Sequence, residues 1–265
     1  MTDEHSDIGS QVRVALGAYR SNPVLAPLLT EPFIHRMEIF GSALALWGAK
    51  INLTARPQDP AETAFHIADS LMPLALAIEH QRSVRSQTTA APSLRRQSVV
   101  EEDEGSDTLA ALSSAFSAGK HILDVGAGAG FPGLVLASAC PAYFSLAEAR
   151  HKRASFLKVA AAEIALDNVE ILAARLATTT LATSRFDAVL SRASGPVADF
   201  YAIAASALTS DGLAILYANP SQRLELKAAN MAGLVNYRRY NYSLHRGADT
   251  VKRVLVIWRA GKKAH

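Results

Sequence analysis

A short apolar stretch that runs into closely spaced glycines constrains this sequence more than any other feature. Residues 122–133 read Ile-Leu-Asp-Val-Gly-Ala-Gly-Ala-Gly-Phe-Pro-Gly, and a run with helix-like apolar spacing follows. Because glycine has no Cβ, such a loop lets the backbone approach a bound ligand closely. The pattern predicts a buried strand that ends in a nucleotide-type cofactor loop. An ordinary glycine-rich turn is the alternative.

The glycine spacing fits two classes of cofactor. Gly128, Gly130 and Gly133 satisfy the G-x-G-x-x-G pattern of dinucleotide-binding enzymes. The same stretch also reads Asp124-x-Gly126-x-Gly128-x-Gly130, which is typical of S-adenosylmethionine-dependent methyltransferases. The position of Asp124 favours the methyl donor, so Asp124, Gly126 and Gly128 are predicted to bind S-adenosyl-L-methionine. An NAD-dependent oxidoreductase remains the alternative, although the chain has no Tyr-x-x-x-Lys motif.

The composition is that of a globular protein with a mildly basic surface. The 265 residues are 49% apolar and 19% charged, with a formal net charge of +3 and a pI near 9.0. This charge permits an acidic partner such as RNA without requiring one. The single cysteine, Cys140, excludes an intramolecular disulfide and a cysteine-based zinc cluster. The polar N-terminus and the absence of an 18-residue apolar run predict a cytoplasmic protein that does not span a membrane. No bound metal is expected.

Three regions follow one another along the chain. Residues 1–80 show apolar positions at helical spacing and are predicted to form a helical region. Residues 81–117 are polar and then acidic, with few large apolar side chains, so a disordered insert is predicted there, with a weak helix near 108–116. Residues 118–265 alternate between strand and helix patterns and are predicted to form the cofactor-binding domain.

The alternation in the last region predicts an α/β fold. Strands are expected at 121–125, 143–147, 169–173, 186–190, 212–217, 234–243 and 251–259, and helices near 131–139, 150–165, 196–208 and 221–232. Repeated strand–helix units imply a parallel sheet with helices on both faces. The last two strands have no helix-length spacer between them, which indicates a closing antiparallel hairpin. A seven-stranded, mostly parallel sheet of this kind is the class I methyltransferase architecture.

Several residues stand at the predicted carboxyl ends of these strands, where open α/β sheets bind ligands. Glu148 follows the second strand and is predicted to accept hydrogen bonds from ribose hydroxyls. Its alternative role is to interact with the dipole of the next helix. Leu176 and Ala177 follow the third strand, where adenine would lie. Arg192 ends the fourth strand, as a contact to substrate or cofactor or as a member of a surface ion pair.

The end of the fourth strand also lacks two known catalytic devices. It reads Ser191-Arg192-Ala193, whereas enzymes that methylate exocyclic amines have Asn/Asp-Pro-Pro-Tyr/Phe there. Methylation of a pyrimidine at C5 needs a cysteine nucleophile, and Cys140 lies after the first helix of the domain. The target is therefore predicted to be an atom that needs neither deprotonation nor covalent activation.

The helical region carries a second group of polar residues. His66 and Asp69 are three positions apart, so they share one face of a helix, and Ser70 and Asn52 lie nearby in sequence. Either these residues contact a substrate, or His66 and Asp69 form hydrogen bonds that attach the helical region to the main domain. The sequence leaves both possibilities open.

In their order along the chain, these motifs resemble the 16S ribosomal RNA small-subunit methyltransferase G family, also called glucose-inhibited division protein B. The resemblance covers nearly the whole chain except the insert. It rests on Asn52-Leu-Thr-Ala, His66-x-x-Asp69-Ser70, Leu123-Asp-Val-Gly-x-Gly-x-Gly-Phe-Pro-Gly133, Lys152-Arg153-x-x-Phe156-Leu157, Ser191-Arg192-Ala193 and Arg253-x-Leu-Val-Ile257.

The resemblance implies transfer of a methyl group from S-adenosylmethionine to N7 of a guanine in 16S rRNA. Guanine N7 carries a lone pair and no proton, so the reaction needs no general base, and no catalytic residue is assigned. The implied cofactor-site residues are Gly126, Phe131, Leu176, Ala177 and Arg192, with Asp124, Gly128 and Glu148 added from the fold. The implied substrate-binding residues are Asn52, His66, Asp69, Ser70 and Arg253.

The sequence departs from the family pattern in two places. Asn219-Pro220 stands where the family often has a Lys-Gly pair after the fifth strand, and Arg223 or Lys227 would have to compensate. The insert of residues 81–117 replaces a short connection. Besides the oxidoreductase, a non-catalytic ribosome-binding factor that kept the cofactor pocket remains an alternative.

Overall fold

The computed structural model describes residues 3–89, 104–176, 178, 186–192 and 195–261. The helices are α1 (Asp3–Gly17), α2 (Glu31–Gly48), α3 (Pro60–Ser70), α4 (Met72–Thr89), α5 (Glu104–Ala115), α6 (Gly133–Ala139), α7 (His151–Glu163), α8 (Val197–Ala207) and α9 (Leu226–Met231). The strands are β1 (His121–Val125), β2 (Tyr143–Ala147), β3 (Val169–Leu172), β4 (Phe186–Arg192), β5 (Leu208–Ala218), β6 (Leu234–Arg246) and β7 (Asp249–Ala260). Short 3-10 helices occupy Ala18–Ser21 and Ala26–Leu28.

The strands form one seven-stranded sheet in the order β3-β2-β1-β4-β5-β7-β6. Strands β1 to β5 pair in parallel, and β7 runs antiparallel between β5 and β6. The predicted α/β fold with a closing hairpin is thereby confirmed. The strand order reverses between β1 and β4, so the loops that leave their carboxyl ends diverge and open a crevice there.

Helices cover both faces of the sheet, and the side chains of each strand alternate between the two cores. In β4, Ala188 and Leu190 pack toward the N-terminal helices, α6 and α7, whereas Val189 packs toward α8 and α9. Because the central strands are buried on both sides, they are apolar almost throughout. The helical region is therefore part of the main core rather than a separate body.

Helix α3 begins and ends at sequence features that fix its register. Oδ1 of Asp59 accepts hydrogen bonds from the backbone N–H groups of Ala61 and Glu62, at 2.9 and 3.2 Å, and so caps the first turn. The chain turns at Leu71 before α4 begins. Within α3 the residues Glu62, His66 and Asp69 are spaced i, i+4 and i+7, which places them along one stripe of the helix.

The prediction of a disordered insert over residues 81–117 is wrong at both ends of the segment. Helix α4 continues to Thr89, and α5 contains the predicted weak helix and packs against α4 and β5. Leu112 and Phe116 are four residues apart and are buried, at 0% and 3% exposure. This pair supplies an apolar face that outweighs the polar composition of the segment. Residues 90–103 lie outside the described residues.

Two further features concern the described residues only. None of the helices they form is both long enough and apolar enough to cross a bilayer. These residues also contain no group of three or more His, Cys, Asp or Glu side chains placed to hold a metal ion.

Candidate active site at the carboxyl edge of the sheet

The loop after β1, residues 126–133, is held mainly by its own backbone, and we call it the glycine loop. The N–H groups of Gly126 and Ala127 both donate to the carbonyl of Ala147 at the end of β2, at 2.9 and 3.0 Å. Gly126, Gly128 and Gly130 have φ angles of 74°, 58° and 88°, a region that favours glycine. A Cβ built on Gly128 would have its nearest atoms, the Gly126 carbonyl oxygen and Nη1 of Arg153, at 3.6 and 3.9 Å, which is ordinary contact distance without a clash.

The side chain of Asp124 supports the end of the glycine loop through one hydrogen bond. Its side chain is buried, and Oδ2 accepts a hydrogen bond of 2.9 Å from the N–H of Gly133 at the start of α6. Burial raises the pKa of this carboxyl to about 7. The contact of this buried side chain is with the start of α6, and its role in binding the cofactor stays a prediction.

Glu148 lies at the end of β2, directly beside the glycine loop. Its Oε2 accepts a hydrogen bond of 3.1 Å from the N–H of Gly128, and its Oε1 accepts one of 2.8 Å from the N–H of Arg150. These contacts place a carboxylate next to Gly128. They fit the predicted ribose role, and the bond to Arg150 also fits the alternative at the start of α7.

The other residues predicted to line the cofactor site fall into two groups. Leu176 is partly buried four residues after the end of β3, whereas Ala177 lies outside the described residues. Phe131 and Arg192 lie together: the guanidinium carbon of Arg192 is 5.1 Å from the centre of the Phe131 ring. This contact joins the glycine loop to the end of β4.

His66 connects Arg192 to helix α3. Nη1 of Arg192 lies 3.0 Å from Nδ1 of His66, and Nε2 of His66 lies 3.3 Å from Oε1 of Glu62. Since the guanidinium can only donate, Nδ1 accepts and the imidazole proton belongs on Nε2, facing Glu62. Burial and the charge of Arg192 lower the pKa of His66 to about 2, so the ring is neutral.

Asp69 is the centre of a buried ion cluster. Arg253 donates to both of its carboxylate oxygens, at 3.1 and 3.0 Å, and the hydroxyl of Tyr242 donates to Oδ1 at 2.6 Å. Nη1 of Arg192 lies 3.6 Å from Oδ2. The buried hydroxyl of Tyr217 donates to the backbone carbonyl of Ser70 at 2.7 Å.

These contacts favour the second reading of the helical motif. Asp69 and Ser70 have 0% exposure, and Arg253 is engaged at both carboxylate oxygens of Asp69. The Asp69 side chain and the backbone carbonyl of Ser70 attach α3 to strands β5, β6 and β7, and direct substrate contact by Asp69, Ser70 and Arg253 stays a prediction. His66 is 18% exposed and remains beside Arg192.

No pattern in the sequence singles out several members of this cluster. Nη2 of Arg56 lies 2.6 Å and Nη1 of Arg246 lies 3.5 Å from Oε2 of Glu62, so both buried carboxylates of α3 have arginine partners. The i, i+4 spacing of Glu62 and His66 could have indicated that pair. Tyr242 lies 173 residues from Asp69 in the sequence, and no local pattern predicts their contact. We call the set Glu62, His66, Asp69, Arg192, Tyr242, Arg246 and Arg253 the α3 joint.

A groove of about 410 Å³ lies between the segment around Asn52 and the start of α7. Its described lining residues are Lys50, Ile51, Asn52, Arg150, His151, Lys152 and Arg153. The backbone carbonyl of Asn52 accepts hydrogen bonds from Nε and Nη2 of Arg153, at 2.9 and 2.5 Å. Asn52, which is predicted to bind substrate, is exposed at this groove. It lies 101 residues before Arg153 in the sequence.

The fold and this edge of the sheet define a class. A seven-stranded sheet with an antiparallel β7 inserted beside β5, a glycine loop after β1 and an acid after β2 are together the class I methyltransferase architecture. Residues 102–247 match the sequence model of the GidB family, described as rRNA small subunit methyltransferase G. The chain belongs to this family.

Individual relatives carry the same description. The chain is 38% identical over 115 residues to a ribosomal RNA small subunit methyltransferase G from Solibacter usitatus, covering 43% of this chain and 54% of that one. It therefore spans about half the length of that curated relative. It is 31% identical over 208 residues to the protein of the same name from Polaromonas naphthalenivorans, covering 77% and 79% of the two chains.

A solved structure with a similar fold is a SAM-dependent O-methyltransferase from Thermotoga maritima. Its TM-score is 0.45 at 13% identity, with 71% of this chain and 72% of that chain covered.

Proposed function

We propose that this protein transfers a methyl group from S-adenosyl-L-methionine to N7 of a guanine in 16S rRNA. Membership of the family supports the reaction. The observation that carries the proposal is the meeting of three strand ends: the glycine loop after β1, Glu148 after β2, and Arg192 against Phe131 at the end of β4. Ligands of open α/β sheets bind at such an edge.

The residues at this edge fit the cofactor. The left-handed φ angles of the glycine loop and the missing side chain at Gly128 leave room for a ligand close to the backbone. Glu148 supplies acceptors for ribose hydroxyls beside that space. Leu176, after β3, adds an apolar side chain where a base would lie. When bound, S-adenosylmethionine supplies an electrophilic methyl group on its sulfonium.

The protein groups around Arg192 fit a target that needs no deprotonation. Nδ1 of His66 accepts from Arg192, and its Nε2 proton faces Glu62. The carboxylate of Asp69 is occupied by Arg253 and Tyr242. Neither side chain is free to remove a proton, whereas guanine N7 already carries the attacking lone pair. Catalysis then consists of positioning the base and excluding water, effects that supply about 7–11 kcal/mol of the barrier in well-oriented reactions.

Arg192 is the side chain best placed to orient the guanine. A bidentate contact to O6 and N7, common in nucleic-acid recognition, would occupy the reacting lone pair. Nη1 of Arg192 already donates to His66. We therefore assign the other donors of Arg192 a contact to O6 alone or to a phosphate. A base in an rRNA stem would have to leave its stack to reach this position.

The experiment that tests the proposal uses small ribosomal subunits from a strain in which the gene is deleted. We expect the purified protein to transfer labelled methyl groups to these subunits, with 7-methylguanosine as the product by mass spectrometry. Subunits from the parent strain, already methylated, should accept almost none. Methyl transfer to another atom, or no transfer to subunits or to naked 16S rRNA, would contradict the proposal.

The alternative functions are separated by binding and turnover. Titration with S-adenosylhomocysteine and with NADH distinguishes a methyltransferase from the oxidoreductase. A ribosome-binding factor would bind the subunit without any transfer. A 16S rRNA or small-subunit partner also implies a cytoplasmic location, where ribosomes are assembled.

A further inference from the structure

The groove beside the glycine loop carries a concentration of positive charge that the proposed reaction does not use. Lys50, Arg150, Lys152 and Arg153 line it together with Ile51, Asn52 and His151, and none of these described lining residues is acidic. A concave surface with one sign of charge favours a ligand of the opposite sign. The groove is thus suited to an anionic group.

Arg153 is the member of the groove that reaches the glycine loop. Two of its nitrogens, Nε and Nη2, donate to the carbonyl of Asn52 and so fix the plane of the guanidinium. The third, Nη1, lies 3.9 Å from the position that a Cβ on Gly128 would occupy. The guanidinium therefore presents one donor edge to the position that a side chain at Gly128 would fill.

Gly128 has one acidic and one basic neighbour. The carboxylate of Glu148 accepts a hydrogen bond from the N–H of Gly128. The guanidinium of Arg153 lies with Nη1 3.9 Å from the Cβ position of the same residue. A cofactor with a ribose at one end and an amino acid at the other has hydroxyl donors for the acid and a carboxylate for the arginine.

We propose that Arg153 binds the α-carboxylate of the methionine part of the cofactor. The inference rests on the proposed function, since it takes S-adenosylmethionine as the ligand. An RNA phosphate is the other anion that could enter the groove. The cofactor is favoured because Arg153 is partly buried and held by Asn52, whereas His151 and Lys152 are exposed and face solvent.

The test compares two ligands of which only one carries the amino acid and its α-carboxylate. S-adenosylhomocysteine carries the amino acid, and 5′-methylthioadenosine keeps the adenosine and sulfur without it. By isothermal titration we expect Arg153→Ala to weaken S-adenosylhomocysteine binding by about 10- to 100-fold, the range for a charge-assisted hydrogen bond. Its affinity for 5′-methylthioadenosine should stay at the wild-type value, which also shows that the variant is folded.

Two further variants sharpen the comparison. Arg153→Lys keeps the charge but not the planar guanidinium, which can contact Asn52 and a carboxylate at the same time, so it should recover part of the lost affinity. Lys158→Ala removes one positive charge from an exposed position of the same helix outside the groove. It should bind both ligands as the wild type does.

Each contrary result has a distinct meaning. Equal losses for both ligands would show that Arg153 supports the loop rather than the carboxylate, and would overturn the proposal. Unchanged S-adenosylhomocysteine affinity with weaker binding of 16S rRNA would assign the groove to phosphate and overturn it as well. If the wild-type protein binds neither ligand, the proposed function itself fails together with the inference.

Discussion

The glycine loop and the α3 joint form two sides of the same sheet edge, and they are built by opposite means. The loop uses backbone hydrogen bonds and left-handed glycines, with Asp124 beneath it as a local support. The joint uses long charged side chains that meet across 126 residues between His66 and Arg192 and 184 between Asp69 and Arg253. The glycine loop depends on the absence of side chains, whereas the α3 joint depends on the presence of its long charged side chains.

The difference has energetic consequences. Adding a side chain at Gly128 changes the shape of the ligand site while the rest of the core stays packed, because no atom lies closer than 3.6 Å to its Cβ position. Removing a side chain from the joint leaves a buried charge without its partner, which affects the whole fold because α3 is attached to β4, β6 and β7 through that cluster. Substitutions in the two regions should therefore separate binding from stability.

The largest effect on binding is expected at Gly128. Gly128→Val places a branched side chain in the space proposed for the cofactor and at a φ of 58°. We expect S-adenosylhomocysteine binding to fall below detection by isothermal titration. The matched control is Gly233→Val, because Gly233 also has a positive φ, 86°, and open surroundings, but lies between α9 and β6. Unchanged affinity in Gly128→Val would remove the loop from the cofactor site.

The largest effect on stability is expected at Asp69. Asp69→Ala leaves Arg253 and Arg192 without their shared carboxylate, and breaking a buried ion pair in this way costs about 3–5 kcal/mol. Urea unfolding measures the change. Asp69→Asn keeps the shape and one acceptor and should be destabilised less. Glu31→Gln, at the exposed pair with Arg13 and Arg20, should change little. A loss below about 1 kcal/mol in Asp69→Ala would contradict the joint.

The same contrast explains what the sequence could and could not predict. Strands β1 and β2 match their predicted ranges because short, mostly apolar stretches define them locally, the first followed by Gly126 and the second by Glu148. The glycine loop is likewise a local pattern. The partners of Asp69 are not, because the order of strands alone brings Tyr242 and Arg253 to α3. The polar, acidic composition also led to the wrong prediction of disorder around α5. Burial of Leu112 and of Phe116, just after the helix, outweighs that composition.

A smaller effect, mainly on turnover, is expected at His66. It positions Arg192 through one hydrogen bond, and small misplacements of catalytic groups cost up to about 100-fold in rate. His66→Leu removes the acceptor and should lower kcat within that range, while S-adenosylhomocysteine affinity stays near the wild-type value. His66→Gln restores an acceptor and should recover part of kcat.

A double-variant cycle checks that His66 acts through Arg192. In an Arg192→Ala background, His66→Leu should cause no further loss of kcat, because there is no guanidinium left to orient. Additive losses would show that His66 acts on the substrate independently.

The smallest effect, and the one that separates the two regions most directly, is the dependence of stability on pH. Burial raises the pKa of Asp124 from 3.8 to about 7, so between these values the folded protein keeps a proton that the unfolded chain releases. Stability from Asp124 therefore falls as pH rises through that window. Burial lowers the pKa of His66 from 6.5 to about 2, so between these values His66 is protonated in the unfolded chain and neutral in the folded protein. Stability from His66 falls as pH falls.

The two contributions oppose each other between about pH 4 and 6.5, each with a slope of at most about 1.4 kcal/mol per pH unit, so the wild-type profile should be shallow there. Asp124→Asn removes one slope, and its stability should fall more steeply than that of the wild type as pH is lowered. His66→Gln removes the other, and its stability should rise relative to the wild type as pH is lowered. Chemical denaturation at pH 5, 6 and 7 measures all three. If both variants follow the wild-type profile, neither buried group titrates with folding, and the contrast between a protonated loop support and a neutral joint histidine is wrong.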